Sequence, residues 1–385
     1  MLRRCFASLP ALASTFLILL TSAGAAPVTF VFTSDLHFGL TRSYFRGAAN
    51  VAATEVNAAL AAAINRVPAA RFPADAGLRA AQSVGPLDFV MVTGDIANRQ
   101  EMLPLRIQPA AASWAQFETH FAQRLAVTNA AGAATPLLLV PGNHDASNAI
   151  GAPVPMLPAT DATAMVAIYN RMMRPAVPKT NSDYRYTSDP VRYIREFGGV
   201  LIVGCTIWPD SATRTWLEEV LRAAPATQPV LLFCHDQPDI EAKHLRNPNG
   251  DHGINAKDKF ENLVADTLHE GTSTDAPTTV EQRALANFFR QHRNIVGYFH
   301  GNANWNQFYT WEGPDRDLAL ATFRADSPIK GRNSGKEEPL LSFQVVTYDL
   351  ELGKLTAREC RWNATPTQEP TLQWGESTTR SLRFK

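Results

Sequence analysis

Leu137 to Val140 (LLLV) is a short, wholly apolar run that stops at Pro141-Gly142, and Asn143, His144 and Asp145 follow at once. Such a run reads as a buried strand, and a proline followed by a glycine ends it abruptly. An amide, an imidazole and a carboxylate at the end of a buried strand are costly unless each finds a partner. In α/β proteins, ligands and catalytic groups collect at the carboxyl ends of strands. By itself GNHD could be a capped turn or part of a site, and the rest of the chain decides between them.

The same arrangement recurs. Val28 to Ser34 (VTFVFTS) is an apolar strand ending at Asp35-Leu36-His37, where alternation puts Asp35 and His37 on one side of the backbone. Leu87 to Thr93 ends at Gly94-Asp95, Val230 to Cys234 at His235, and Ile295 to Phe299 at His300-Gly301-Asn302-Ala303-Asn304. Between the early strands, Ala48 to Val67 reads as a helix, Pro68 to Pro86 as a surface loop, and Ser113 to Val127 as an amphipathic helix with Ser113 as N-cap. Strands this apolar, alternating with helices, argue for α/β architecture with parallel strands covered on both faces.

Further along, a helix is expected near Ala162 to Met173, and antiparallel strands over Tyr184 to Glu196 and Val200 to Ile207 about Gly198-Gly199. Helices follow at Thr213 to Ala223 and Val280 to His292, and strands at Leu318 to Phe323, Ser342 to Leu350 and Lys354 to Arg361. Asp236 to Thr279 is a long polar insertion, the kind of connection that is usually functional or disordered. Residues 27–362 read as one domain with insertions and 363–385 as a polar C-terminal tail.

Residues 1–26 read as a signal peptide. Arg3 and Arg4 precede the apolar run Ala11 to Leu20, and Ala23-Gly24-Ala25 offers a small-residue cleavage site. The run is short for a bilayer span, so export to the periplasm or medium is expected, with no stable membrane anchor after cleavage; a retained anchor is the other reading. Cleavage leaves Cys205, Cys234 and Cys360, an odd count that is not a disulfide framework, although a Cys205–Cys234 bridge stays open. Acidic and basic residues balance at 36 each, so nothing points to a nucleic-acid partner, whose binding face should be basic.

Five strand ends therefore carry metal-compatible side chains: Asp35 and His37, Asp95, Asn143 with His144, His235, and His300 with Asn302 and Asn304. Mixed carboxylate, imidazole and amide ligands suit Fe, Mn or Zn, with Mg or Ca also open. A carboxylate at the second strand end can bridge two ions. Two ions about 3.5–4 Å apart can clamp an ester phosphate and activate a bridging hydroxide. The leaving oxygen then needs a proton donor, and His144, next to the ligand Asn143, is free to serve.

These residues resemble the calcineurin-like metallophosphoesterase superfamily. Its D-x-H, GD, GNH[D/E] and isolated His appear in order as Asp35-Leu36-His37, Gly94-Asp95, Gly142 to Asp145, and His235. The resemblance implies two packed mixed β-sheets flanked by helices. It implies that Asp35 and His37 hold one ion, that Asp95 bridges, and that Asn143 and His235 hold the other. It also implies that His144 is the leaving-group acid, oriented by Asp145 or a neighbour, and that the substrate is a small-molecule phosphate mono- or diester.

The family's last motif, GHxH, is altered. Keeping its glycine makes Gly301-Asn302-Ala303-Asn304 the counterpart, with both histidines replaced; keeping a histidine makes His300 and Asn302 the ligands. Amide oxygen is a poorer ligand than imidazole for Zn or Fe and a better one for Mn, Mg or Ca. A relative that binds a phosphorylated ligand without turnover is the alternative this substitution raises. Trp305 to Trp311 reads either as packing or as a wall beside the metals, and Asn98 as a phosphate contact or a helix-start contact. His244, His252, His269 and His292 read as solvated.

Overall fold

The structure is a computed structural model that describes residues 26–98, 101–102, 106–146, 161–245, 264–266, 278–366 and 371–384. Two six-stranded mixed sheets make up the body. In the first, Val28–Thr33 lies parallel to Phe89–Thr93, which lies parallel to Leu137–Val140. On the other side of Val28–Thr33, Ser342–Asp349, Lys354–Arg361 and Gln373–Ser381 follow in antiparallel order. In the second, Val200–Cys205, Val230–Phe233, Ile295–His300 and Leu320–Arg324 are parallel, with antiparallel edges at Arg192–Phe197 and Gln307–Trp311.

Alternation along the strands produces the sandwich. Leu231 and Phe233 join the core shared with the first sheet, while Val230, Leu232 and Cys234 pack under the outer helices Ser211–Ala223 and Thr279–Gln291. Between the sheets, aromatic rings stack within each and meet edge-on across the gap: Phe30–Phe89 at 4.3 Å, Phe233–Phe299 at 4.5 Å, and Phe32–Phe299 at 5.3 Å. Helices Ala53–Arg66, Ala110–His120 and Thr163–Met173 cover the first sheet through Val56, Leu60, Ile64, Phe117, Ile168 and Met172. The parallel strands of both sheets thus discharge their carboxyl ends at one rim.

Several expectations are corrected. The polar tail is not all tail: Gln373–Ser381 is the edge strand of the first sheet, and Trp374 Nε1 donates to Arg71 O at 2.8 Å. An edge strand buries little, so its polarity did not forbid pairing. The expected helix from Ala48 begins at Ala53, because Thr41–Phe45 and Ala48–Ala52 form a hairpin anchored by buried Phe45 and Val51. Ser113 is not an N-cap but sits inside its helix, buried, with Oγ donating to Asn98 O at 2.5 Å. His244 is buried, its Nδ1 2.5 Å from Asp236 Oδ2. Cys205 and Cys234 are buried free thiols. His252, His269 and the expected signal peptide up to residue 25 lie outside the described residues. Among the described residues, no helix is long and apolar enough to cross a membrane.

Candidate metal centre and its cavity

The rim is held together by backbone contacts between the strand-end loops. Asp35 N donates to Gly94 O (3.0 Å), His37 N to Asp95 O (2.8 Å) and Gly301 N to His235 O (3.0 Å). Asp35, His37 and Asp95 adopt positive φ of 56°, 43° and 51°, a strained conformation that persists where the surroundings over-determine it. Gly301 is fixed by proximity: a Cβ there would overlap Ser34 and the Asp35 carboxylate.

Hydrogen bonds set the proton on each ring. His235 Nδ1 donates to Thr93 O (2.6 Å), so the Nε2 lone pair faces Asn143 Oδ1 at 3.0 Å and Asp95 Oδ1 at 3.4 Å. His37 Nδ1 donates to Asn98 Oδ1 (2.7 Å), leaving the Nε2 lone pair 3.6 Å from Asp35 Oδ1 and 3.7 Å from Asp95 Oδ2. Lone pairs facing carboxylate oxygens repel unless a cation lies between them. Asp35 Oδ1, His37 Nε2 and Asn304 Oδ1 are all buried without a hydrogen-bond partner. Two three-residue groups within ligand reach, Asp35–Asp95–His235 and His37–Asp95–His144, have Asp95 in common. These orphaned donors fit a pair of divalent ions bridged by Asp95.

The electrostatics agree. Burial pushes Asp35 up to about 6, against the pull of His235. Burial also acts to raise Asp95, but His235, His144 and His37 around it outweigh that and hold it well below the usual carboxylate range. Burial drives His37 down to about 3. Burial would lower His235 too, yet Asp95 and Asp35 lift it to about 10. With protein groups alone, a proton at His235 does the work that a metal ion would do.

His144 differs from the other two. Asn98 Oδ1 is committed to His37, so its Nδ2 faces His144 Nδ1 at 2.6 Å and donates to it. The proton of neutral His144 is therefore on Nε2, which lies 3.8 Å from Asp95 Oδ2 and 3.0 Å from Lys330 Nζ. A protonated nitrogen cannot ligate, so His144 is a donor toward the cavity. Burial, then Lys330, hold its pKa well below the usual imidazole value.

Two expected site residues are placed elsewhere. Asp145 does not orient His144; its oxygens accept from Ile96 N (3.0 Å), Ala97 N (2.9 Å) and Gly142 N (2.9 Å), which tie the Asp95 and Asn143 turns together. His300 is not among the residues that line the cavity. It ends its strand buried, with Nε2 2.9 Å from Tyr309 Oη and Nδ1 donating to Gly301 O at 3.0 Å, so both nitrogens are engaged. Burial takes it down to about 3. Asn302 and Asn304, the residues of the glycine register, line the cavity beside Asp95, Asn143 and His144. Asn302 N donates to Asp35 Oδ2 (3.0 Å), and its Nδ2 to Asp236 Oδ1 (2.9 Å).

The cavity measures about 720 Å³ and is lined as well by Trp305, by the basic residues Arg324, Lys330 and Arg332, and by Gln237, Asp239 and Glu241. Sequence reading missed these basic residues, and it missed Ser327, whose Oγ donates to Asp35 O (2.8 Å) and accepts from Lys330 N (2.9 Å). Asn98 was seen, but not its place between His37 and His144.

A family model described as calcineurin-like phosphoesterase matches residues 28–264. No curated protein matches. Among solved structures, PhoD is similar with a TM-score of 0.49 at 12% identity, over 94% of this chain and 72% of that one. A dimetal phosphatase from Danio rerio gives 0.49 at 11%, over 93% and 100%. Phosphopantetheinyl hydrolase (PptH) from Mycobacterium tuberculosis gives 0.34 at 13%, over 82% and 94%.

Proposed function

Since the chain belongs to the calcineurin-like phosphoesterase family, we propose that it hydrolyses small-molecule phosphate esters with two divalent ions held about Asp95. The observation that carries this reading is the pair of imidazole lone pairs, on His37 and His235, aimed at opposite oxygens of one buried carboxylate. Asp35, His37 and Asp95 would hold one ion and Asp95, Asn143 and His235 the other, with Asn302 and Asn304 completing the set. Such ions supply Lewis acidity at phosphorus and a more acidic attacking water.

The chain's own residues supply the rest. Lys330 offers an ammonium to the phosphoryl oxygens, and Ser327 fixes its backbone against Asp35. His144 Nε2–H faces the cavity and donates a hydrogen bond to the departing oxygen, which stabilises the charge that develops there. Asn98 keeps that proton on Nε2 by donating to Nδ1. Amide ligands at three positions favour Mn or a harder ion over Zn or Fe. Export rests on the Arg3-Arg4, Ala11 to Leu20 and Ala23-Gly24-Ala25 pattern, and amino-terminal sequencing of the mature protein tests it.

Metal analysis and an ester screen test the function together. About two ions per chain, with hydrolysis of aryl phosphate that Asp95→Ala abolishes, is the expected outcome. Absence of bound metal and of turnover with Mn, Fe, Zn, Mg or Ca would leave a binding protein in place of an enzyme.

A further inference from the structure

The basic lining is larger than one phosphoryl group needs. Arg324 is 8% exposed, yet its Nε is buried without a hydrogen-bond partner, while Nη1 donates to Gln307 Oε1 at 2.6 Å. Its guanidinium carbon lies 3.9 Å from the centre of the Trp305 ring and 5.2 Å from that of Tyr309. Arg332, exposed, places its guanidinium carbon 4.5 Å from the same Trp305 ring, and its backbone N–H donates to Asn304 O at 2.5 Å. Among the described residues, neither guanidinium is ion-paired with a carboxylate.

Two like charges gathered on one indole repel, and the ring faces offset only part of that. An anion between them removes the repulsion and satisfies the buried Nε–H. Lys330 is committed to the His144 end of the cavity, so it does not fill this role. Asp239, which also lines the cavity, lies within electrostatic reach of Arg324 and offsets part of its charge without ion-pairing with it.

We propose that Arg324 and Arg332, stacked on Trp305, form a second anion subsite, so that the substrate is a phosphate ester whose leaving group carries another anionic group. This rests on the esterase reading above, and deepens it by naming the substrate class. The planar, multi-donor guanidinium suits phosphate or carboxylate recognition better than an ammonium would.

The test is calorimetric binding of two non-hydrolysable probes, propylphosphonate and propane-1,3-diyl bisphosphonate, to the full metal-loaded chain. The bisphosphonate should bind at least about tenfold tighter, as charge-assisted hydrogen bonds imply. Arg324→Met and Arg332→Met should each remove most of that preference at unchanged metal content. Arg332 is exposed, so its variant reports even if the Arg324 variant fails to fold. Equal affinity for both probes in the wild type, or a preference that survives both substitutions, overturns the subsite. Hydrolysis of propyl phosphate by the wild type is a separate readout: its absence with the preference intact sinks the esterase reading and leaves a two-anion binding site.

Discussion

Lys330 Nζ stands 3.0 Å from His144 Nε2. Because Asn98 donates to the opposite ring nitrogen, Nε2 carries the proton of the neutral ring, and it and the ammonium are two donors side by side. Such a pair is stable around an anionic oxygen that accepts from both. The relationship assigns the two residues to one ester, Lys330 to a phosphoryl oxygen and His144 to the oxygen that leaves.

His144→Ala should therefore keep its metal content and lose turnover selectively. For alkyl phosphates, whose leaving oxygen builds up the most charge, the loss should be roughly 10²–10³-fold, the usual worth of one such donor. Nitrophenyl phosphate, with an acidic leaving group, should lose far less. Steady-state rates across a leaving-group series measure this, and a uniform loss would mean that His144 positions phosphate only.

Asn98→Leu removes the one side chain that sets the tautomers of both His37 and His144. Loss of a partner that orients a metal-binding imidazole costs roughly 10–100-fold in metal affinity. The variant should show that loss together with the leaving-group signature of His144→Ala. Metal titration alongside the same ester series checks it, and a variant with wild-type affinity would show that His37 keeps its tautomer unaided.

Much of the rim was legible because the chemistry sits where apolar strands stop. Asp35, Asp95, Asn143, His144 and His235 each follow a buried run, and polar side chains at such places demand partners. Residues without that signal were not legible. Lys330 and Arg332 lie in the irregular segment after Leu320–Arg324, and Arg324 ends a strand in the position of an ordinary charged terminus. The roles of Asp145 and His300 depend on where neighbouring backbone N–H groups and Tyr309 lie, which spacing does not encode. Gln373–Ser381 is largely exposed, and the Thr41–Ala52 hairpin buries only Arg42, Phe45 and Val51, so no hydrophobic periodicity announced them.

The fifth strand end separates by metal preference. Restoring imidazole with Asn302→His and Asn304→His should move the site from Mn or harder ions toward Zn or Fe and make it resist chelators. His300→Ala should keep both ions, since its nitrogens serve Tyr309 and Gly301, but should lower stability by about 1–3 kcal/mol through the unpaired tyrosine hydroxyl. Metal analysis and thermal melts of these variants give the answer. Loss of one ion from His300→Ala would restore the rival register.

Away from the metals, Asp326 makes a pH-dependent contribution to stability. Burial lifts it to about 8, against the pull of the Ser334 hydroxyl, the Ser327 backbone and Arg42. The folded state thus prefers the neutral acid, while the unfolded chain releases its proton near the ordinary aspartate value of 3.8. The stabilisation is fully present below that value and is lost as pH rises through about 8. Asp326→Asn cannot ionise, so its melting temperature relative to wild type should rise between pH 5 and pH 8.5, by roughly a few degrees. Melts of both proteins at the two pH values, with metal held constant, isolate the group because the metal ligands titrate alike in each. A variant that is less stable than wild type by the same amount at both pH values would show instead that Asp326 is ionised throughout as the counter-ion of Arg42.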